Sequence, residues 1–213
     1  LLQVDRGEQV TAVLNVSDFS GSNFLFMVTR NGVVKKTSLA DYATKRQGGL
    51  IAINLDENDE LPYVFQTDGA KEIILASHQG MSIRFKEDDV RAIGRSTRGV
   101  TGMRFKKAGD YIVGAAVADN EHDILVVSEG GYGKRSKVDD YRMQSRGGTG
   151  VITLKVTEKT GPLMSLKSVQ DEDELLLMTS NGVVIRQRVN AIRETGRVAQ
   201  GVHPAIGNPC LAA

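Results

Sequence analysis

The chain has 213 residues, of which 40% are hydrophobic, 25% charged and 5% aromatic, and 27 basic against 26 acidic residues leave a net charge of +1. This is an ordinary globular composition, and a single cysteine, Cys210, with three scattered histidines excludes an internal disulfide and disfavours structural zinc. No apolar run approaches the roughly 20 residues of a membrane helix and the first residues lack a secretion signal, so we expect a cytoplasmic protein without a metal or cofactor.

A repeat of about fifty residues runs through the chain. Four segments align without gaps, each with an apolar run, a Ser or Thr, two mostly polar residues, a glycine and a second run. The aligned glycines lie 48, 51 and 51 residues apart and are Gly32, Gly80, Gly131 and Gly182. A glycine between two β-rich runs is typical of a hairpin turn, because glycine adopts a positive φ at little cost. The pattern therefore predicts four β-hairpins.

Two further anchors follow in constant order. A second glycine comes 16 to 19 residues after each hairpin glycine, at Gly48, Gly99, Gly147 and Gly201. An apolar stretch behind a polar turn begins around Val10, Leu61, Tyr111 and Leu163. The apolar residues are β-branched and alternating, and no segment holds a helical period for three turns. We predict an all-β fold, a propeller-like or pinwheel-like ring of four-stranded antiparallel blades.

The repeat is incomplete at both ends of the chain. Residues 1–15 match the second half of a repeat, and the segment from His203 onwards abandons the pattern. We expect a fragment of a longer protein, with the ring over residues 1–204 and an irregular tail over 205–213. Within the ring, residues 1–20 form a partial blade and the repeats start near residues 21, 71, 121 and 172.

Charge alternates with the repeat. The segments from each hairpin to the second glycine are basic, and those between them are acidic. Four residues after each hairpin glycine stand Lys36, Arg84, Arg135 and Arg186. Because strand alternation sends consecutive side chains to opposite faces, we predict that these four share one outward face. That face would form a track for duplex DNA, which basic groups bind without reading bases; solubility alone, inherited by duplication, is the alternative.

No catalytic or metal-binding constellation is present in the sequence. The segment from Ser128 to Arg135 superficially resembles a phosphate-binding loop, but it lacks the first glycine and has Arg135 where Ser or Thr would bind magnesium. The acidic run from Asp171 to Glu174 is predicted to be an exposed turn.

One segment, Gln144-Ser145-Arg146-Gly147-Gly148-Thr149-Gly150, resembles the gyrase box, Gln-(Arg/Lys)-Arg-Gly-Gly-(Arg/Lys)-Gly, at five of seven positions. Ser145 and Thr149 replace basic residues of that box. The resemblance to the family of C-terminal domains of the DNA gyrase A subunit extends over roughly residues 1–202. It includes Thr29 to Lys36, Gly131 to Arg135 and Gly196 to Val202.

This resemblance implies a β-pinwheel whose neighbouring blades exchange strands and around whose basic perimeter duplex DNA bends. It implies a domain without chemistry of its own, with strand cleavage and ATP hydrolysis elsewhere in the enzyme. It also implies two protein partners, the rest of the gyrase A subunit and, through it, the gyrase B subunit. The DNA-binding residues that we expect are Lys35, Lys36, Lys45, Arg46, Arg84, Arg95, Arg98, Lys134, Arg135, Arg146, Arg186 and Arg197.

The box-like segment has two interpretations. In one, Gly147, Gly148 and Gly150 let backbone amides approach phosphates while Arg146 supplies charge. In the other, the segment is only a tight turn that closes a blade. For the whole chain there are two alternatives, the topoisomerase IV counterpart of the same domain and a β-propeller that binds proteins. The box-like segment favours gyrase over topoisomerase IV.

Overall fold

Strands and single-turn 3₁₀ helices make up the regular structure of residues 10–19, 21–44 and 49–201, the part of the chain that a computed structural model describes. Each predicted hairpin is present. The hairpins are β1 (Phe24–Val28) with β2 (Val33–Ser38), β4 (Glu72–Ser77) with β5 (Met81–Lys86), β8 (Asp123–Ser128) with β9 (Gly133–Lys137), and β12 (Glu174–Met178) with β13 (Val184–Arg188). Their turn glycines have φ between 75° and 81°, so the four-hairpin prediction is confirmed.

Each hairpin belongs to a separate antiparallel blade, and in the first two blades it lies between two further strands. The first blade has the strand order β3-β1-β2-β6, and the second has β7-β4-β5-β10. The third blade contains β11-β8-β9 and the fourth contains the hairpin β12-β13. The added strands are β3 (Tyr63–Thr67), β6 (Val100–Thr101), β7 (Ile112–Ala118), β10 (Val151–Ile152) and β11 (Leu163–Val169). The prediction of an all-β fold with four-stranded blades is confirmed.

Neighbouring blades share chain. Strand β6, which completes the first blade, follows the hairpin of the second blade in sequence, and β10 completes the second blade after the hairpin of the third. Residues 12–16, which match β3 in sequence, are in no strand. The reason is that β3 pairs with β1 of its own repeat, whereas residues 12–16 have no such hairpin before them among the described residues.

The core lies between the blades, which pack face to face. Along β4, Ile73 and Leu75 pack with Phe26 and other residues of the first blade, whereas Ile74 and Ala76 pack with Ile124 of the third. A smaller cluster joins the third and fourth blades. Because both faces of a middle blade are covered, alternation along a strand selects which neighbouring blade a side chain contacts.

After its hairpin, each repeat enters a 3₁₀ helix, and the second, third and fourth repeats then run along the second hairpin strand of the preceding blade. The helices are Leu39–Tyr42, Glu87–Asp89, Val138–Asp140 and Val189–Ala191. The segments that follow begin with parallel bridges to β2, β5 and β9, at Lys36–Ala92, Arg84–Met143 and Arg135–Glu194. We call residues 91–101, 142–152 and 193–201 the rim segments.

The rim segments occupy the outer edge of their blades. At the opposite edge, β7 and β11 of adjacent blades approach so closely that a Cβ on Gly114 would lie 2.5 Å from the Cβ of Leu166. Strands converge in this way near the axis of a propeller-like fold. The other edge, with the rim segments, therefore faces outwards. Among the residues described, no helix is long and apolar enough to cross a membrane.

Candidate nucleic-acid interface

The basic residues of the rim segments are all arginines. By count from the sequence these segments contain seven arginines and a single acidic residue, Glu194. The arginines are Arg91, Arg95, Arg98, Arg142, Arg146, Arg193 and Arg197. Arginine presents several N–H donors in a fork that matches phosphate oxygens, so an arginine-rich edge suits a phosphate backbone.

Three of these arginines occupy the same position in successive repeats. Arg91, Arg142 and Arg193 are 51 residues apart, each two residues after the end of a 3₁₀ helix, and each is exposed. Within the described part of the chain, no hydrogen bond or ion pair engages any of the three guanidinium groups. Their donors therefore face solvent at the outer edge.

A second series is half-buried and held by the backbone of the preceding repeat. The Nε of Arg146 donates to the carbonyl of Asp89 at 2.8 Å, and its Nη1 donates to Thr101 at 3.2 Å. Arg197 makes the equivalent bonds to the carbonyls of Asp140 and Ile152. Each guanidinium group thus donates through two of its nitrogen atoms, and these bonds do not occupy its other N–H groups.

The remaining predicted rim residues differ in their contacts. Arg95, the counterpart of Arg146 and Arg197, is half-buried. Arg98 is exposed and forms an ion pair with Asp56 at 2.7 Å. Lys45 and Arg46 lie outside the described residues. Arg95, Arg98, Arg146 and Arg197 thus lie on the rim segments, at the outer edge of three blades.

The prediction that Lys36, Arg84, Arg135 and Arg186 share an outward face is wrong for the first three. These three are largely buried and each donates to backbone carbonyls of the next repeat, near its 3₁₀ helix. Lys36 reaches Glu87 at 3.2 Å, Arg84 reaches Val138 at 2.8 Å, and Arg135 reaches Ile192 at 2.7 Å. Their strand faces are covered by a neighbouring blade, so the charge joins blades instead of facing solvent.

Arg186 is the exposed member of this series, with 70% of its side chain accessible, and it pairs with Glu174 of its own hairpin. Lys35 and Lys134, one position earlier on their strands, are fully buried. Burial, with the nearby charge of Arg197, lowers the pKa of Lys134 from 10.5 to about 8, and burial also lowers the pKa of Lys35. These two lysines therefore do not line an exposed DNA track.

The box-like segment forms a turn with two left-handed glycines. Gly147 has φ 77° and its amide donates to Gly102 at 2.6 Å, while Gly150 has φ 72°. Gln144 donates its backbone amide to Arg84 at 2.9 Å, and the Nε2 of its side chain is buried without a partner. The amides of Gly147 and Gln144 are thus used within the protein, as the tight-turn interpretation requires.

The structural alignment of the second glycine also corrects the sequence alignment in one repeat. A Cβ on Gly99, Gly150 or Gly201 would lie within 2.8 Å of a carbonyl oxygen on the second hairpin strand of the preceding blade. These three glycines are 51 residues apart, so Gly150 and not Gly147 is the counterpart of Gly99 and Gly201. Gly48 lies outside the described residues.

Apart from Glu194, the acidic residues lie outside the rim segments, many of them in the turns between blades and in the 3₁₀ helices. The turns that join β3 to β4, β7 to β8 and β11 to β12 contain Asp68, Asp119 and Asp171 among others. Part of this acidic charge is neutralised within the protein, because Arg135 forms ion pairs with Asp123 and Asp171. Separation of the two signs leaves the outer edge basic although the net charge of the chain is near zero.

Blades that exchange strands and present an arginine-rich outer edge define a β-pinwheel domain with a basic perimeter. A family model described as the DNA gyrase C-terminal domain, beta-propeller, matches residues 23–68, 71–119, 122–170 and 173–203. The chain therefore belongs to the family of DNA gyrase A C-terminal domains.

Individual relatives agree with this assignment. The DNA gyrase A protein of Helicobacter pylori (strain ATCC 700392 / 26695) is 44% identical over 205 residues, which cover 95% of this chain and 25% of that protein. The crystal structure of the C-terminal domain of DNA topoisomerase IV superposes with a TM-score of 0.88 at 30% identity, over 96% of this chain and 65% of that one. The DNA gyrase A C-terminal domain gives 0.78 at 28% identity, over 89% and 64%. The chain spans about a quarter of the length of the curated relatives it matches.

Sequence reasoning missed the three exposed arginines Arg91, Arg142 and Arg193. The signal was present, since they recur at the 51-residue period. The alternation of the hairpin strands does not reveal them, because these residues lie beyond the 3₁₀ helices, in segments without a regular alternation.

Proposed function

We propose that this chain binds duplex DNA along its rim segments and bends it around the blades, as the wrapping domain of a DNA gyrase A protein. The residues that we assign to this contact are Arg91, Arg95, Arg98, Arg142, Arg146, Arg193 and Arg197. Arg186, exposed on the last hairpin, is a further candidate. Lys45 and Arg46 remain candidates from the sequence alone.

The observation that carries the proposal is the recurrence of seven arginines, with one acidic residue, on the outer edges of three successive blades. Phosphate neutralisation releases condensed counterions and needs no contact with bases, so a periodic cationic edge can bind duplex of any sequence. Binding at several blades in succession favours a curved duplex over a straight one.

The whole-enzyme role follows from the family and is part of the proposal. We propose that the domain supports ATP-dependent negative supercoiling, with strand cleavage and ATP hydrolysis in other parts of the enzyme. The proposed partners are the remainder of gyrase A and, through it, gyrase B, and the cytoplasm is the proposed compartment. No cofactor is proposed for this domain.

Ligation of nicked circular plasmid in the presence of increasing protein tests wrapping. A protein that wraps DNA with one handedness shifts the linking number of the ligated product. We expect a shift with the wild type and a much smaller one with the rim triple variant, Arg91→Gln with Arg142→Gln and Arg193→Gln. These side chains are exposed, so folding should be preserved.

A control triple variant removes the same charge elsewhere. Lys71, Lys107 and Lys167 are exposed lysines outside the rim segments, and their replacement by Gln should leave the topoisomer shift close to that of the wild type. An equal loss in both variants would reject the rim as the path. Absence of any wild-type shift and of salt-sensitive binding would favour a protein-binding module.

A further inference from the structure

Two buried lysines contact the rim segments from inside the blades. The Nζ of Lys134 on β9 donates to the backbone carbonyls of Gly196, at 3.3 Å, and of Arg197. The Nζ of Lys35 on β2 donates to Ala52, at 2.7 Å, and to the carbonyl of Arg95. Arg95 and Arg197 are equivalent residues of their rim segments, 102 residues apart, or two periods of 51.

The repeat between them uses a different arrangement. Isoleucine Ile83 occupies the strand position of Lys35 and Lys134 there, and its Cδ1 lies 3.3 Å from the place of a Cβ on Gly148. An isoleucine side chain has no donor for the carbonyls of this rim segment, and the segment packs its Gly148 against Ile83 instead. The chain therefore holds its rim segments in two ways, by a buried ammonium group or by glycine backbone packed on isoleucine.

Arg197 is held at both ends as a result. Lys134 binds its backbone carbonyl, and the carbonyls of Asp140 and Ile152 bind its guanidinium. The charged groups that act on Lys134 are Arg197 and Asp140, and Tyr141 is the buried titratable side chain beside them. Glu194, on the same rim segment, is paired with Lys137 instead.

We propose that Lys35 and Lys134 are positioning residues, whose buried amino groups fix the rim carbonyls and so set where Arg95 and Arg197 meet the DNA. This inference rests on the proposed function. A loop fixed before binding loses less conformational freedom when it binds, so removal of the amino group should weaken the contribution of the arginine it holds.

Hydrogen exchange of the free protein tests the structural half. The variants are Lys134→Ile and Lys35→Ile, because isoleucine already stands at this strand position as Ile83 and Ile185. Lys134→Ile should raise amide exchange of residues 195–199 about tenfold or more and leave residues 94–98 unchanged, and Lys35→Ile should do the reverse. Equal exchange increases in both segments, or none, would overturn the inference.

A double-mutant cycle tests the functional half on duplex DNA. Arg197→Gln should reduce affinity about threefold or more in the wild type, and clearly less in the Lys134→Ile background, whereas Arg95→Gln should cost the same in both. A full Arg197 effect in the Lys134→Ile background would overturn the positioning role. If the wild type shows no salt-dependent DNA binding, both the proposed function and the functional half of this inference are overturned. If the two lysine variants do not raise amide exchange each in its own rim segment, only this inference is overturned.

Discussion

At the scale of single residues, the rim turns depend on glycine at positions that the DNA need not touch. A Cβ on Gly150 would lie 2.1 Å from the carbonyl oxygen of Ser82, and Gly150 also has φ 72°. Gly148, two residues earlier, has no positive φ, and the atom nearest to its Cβ position is the end of the Ile83 side chain, at 3.3 Å. The segment is thus sterically constrained at its last glycine.

We therefore expect Gly150→Ala to lower the free energy of unfolding by about 1–3 kcal/mol, the usual cost of a strained backbone. Gly148→Ala should cost less than about 1 kcal/mol, because a flexible side-chain end can move. Urea unfolding of both variants measures the difference. A larger loss in Gly148→Ala would contradict the assignment of Gly150 as the structural anchor.

The buried amino group of Lys134 predicts a dependence of stability on pH. Its pKa falls from 10.5 to about 8 in the folded protein. Below pH 8 the group is charged in both states, so the cost of burying the charge is fully present. Between about pH 8 and 10.5 only the unfolded chain keeps the proton, so the folded state gains relative stability as pH rises.

The stability of the wild type relative to Lys134→Ile should accordingly increase between pH 8 and 10.5. Denaturant unfolding of both proteins at pH 7 and pH 10 measures it, and the comparison cancels titrations that the two proteins share. A difference that is constant, or that decreases over this interval, would contradict the lowered pKa.

At the scale of elements, cations on the hairpin strands join consecutive blades. Arg84 forms an ion pair with Glu72 of its own blade at 2.5 Å and donates to the carbonyl of Val138 in the next repeat at 2.8 Å. Arg186 occupies the same strand position but is exposed, and among the described residues it contacts only the carboxylate of Glu174. The same residue type thus has two environments, which depend on whether a further blade covers its strand.

Arg84→Met should lower the free energy of unfolding by about 1.5–3 kcal/mol, the range for hydrogen bonds to charged groups. Arg186→Met should cost less than about 0.5 kcal/mol, as an exposed substitution does. Thermal or urea unfolding separates the two. Similar losses in both variants would show that Arg84 does not join the blades.

At the scale of elements, the turns follow from the sequence, whereas the packing of blades does not. Hairpins, period and the all-β class were predictable, because Gly32, Gly80 and Gly131 mark turns that local backbone geometry dictates. The direction of Lys36 and Arg84 was not, since alternation gives two faces and only the packing of blades decides that both are covered. The rim position of Arg146 was predictable from its resemblance to a box, and that of Arg91 only from the period.

At the scale of the whole molecule, the separation of charge predicts how binding responds to salt. The rim segments carry seven arginines and one acidic residue, while the chain as a whole has a net charge of +1. Net charge therefore cannot drive association, and affinity must come from local contacts to phosphate. Each such contact contributes about 0.9 to the slope of log K against log salt concentration, whatever the base sequence.

The rim triple variant, without Arg91, Arg142 and Arg193, should thus lower that slope by about 2.7, three contacts at about 0.9 each, on duplexes of unrelated sequence. The control triple variant, without Lys71, Lys107 and Lys167, changes the net charge by the same amount and should keep the wild-type slope. Fluorescence anisotropy titrations from low to moderate salt give both values. Equal reductions of the slope in the two variants would mean that DNA binding depends only on the overall charge of the protein. A reduction confined to the rim variant assigns the phosphate contacts to the outer edge of the blades, because the control variant removes the same charge from outside the rim segments.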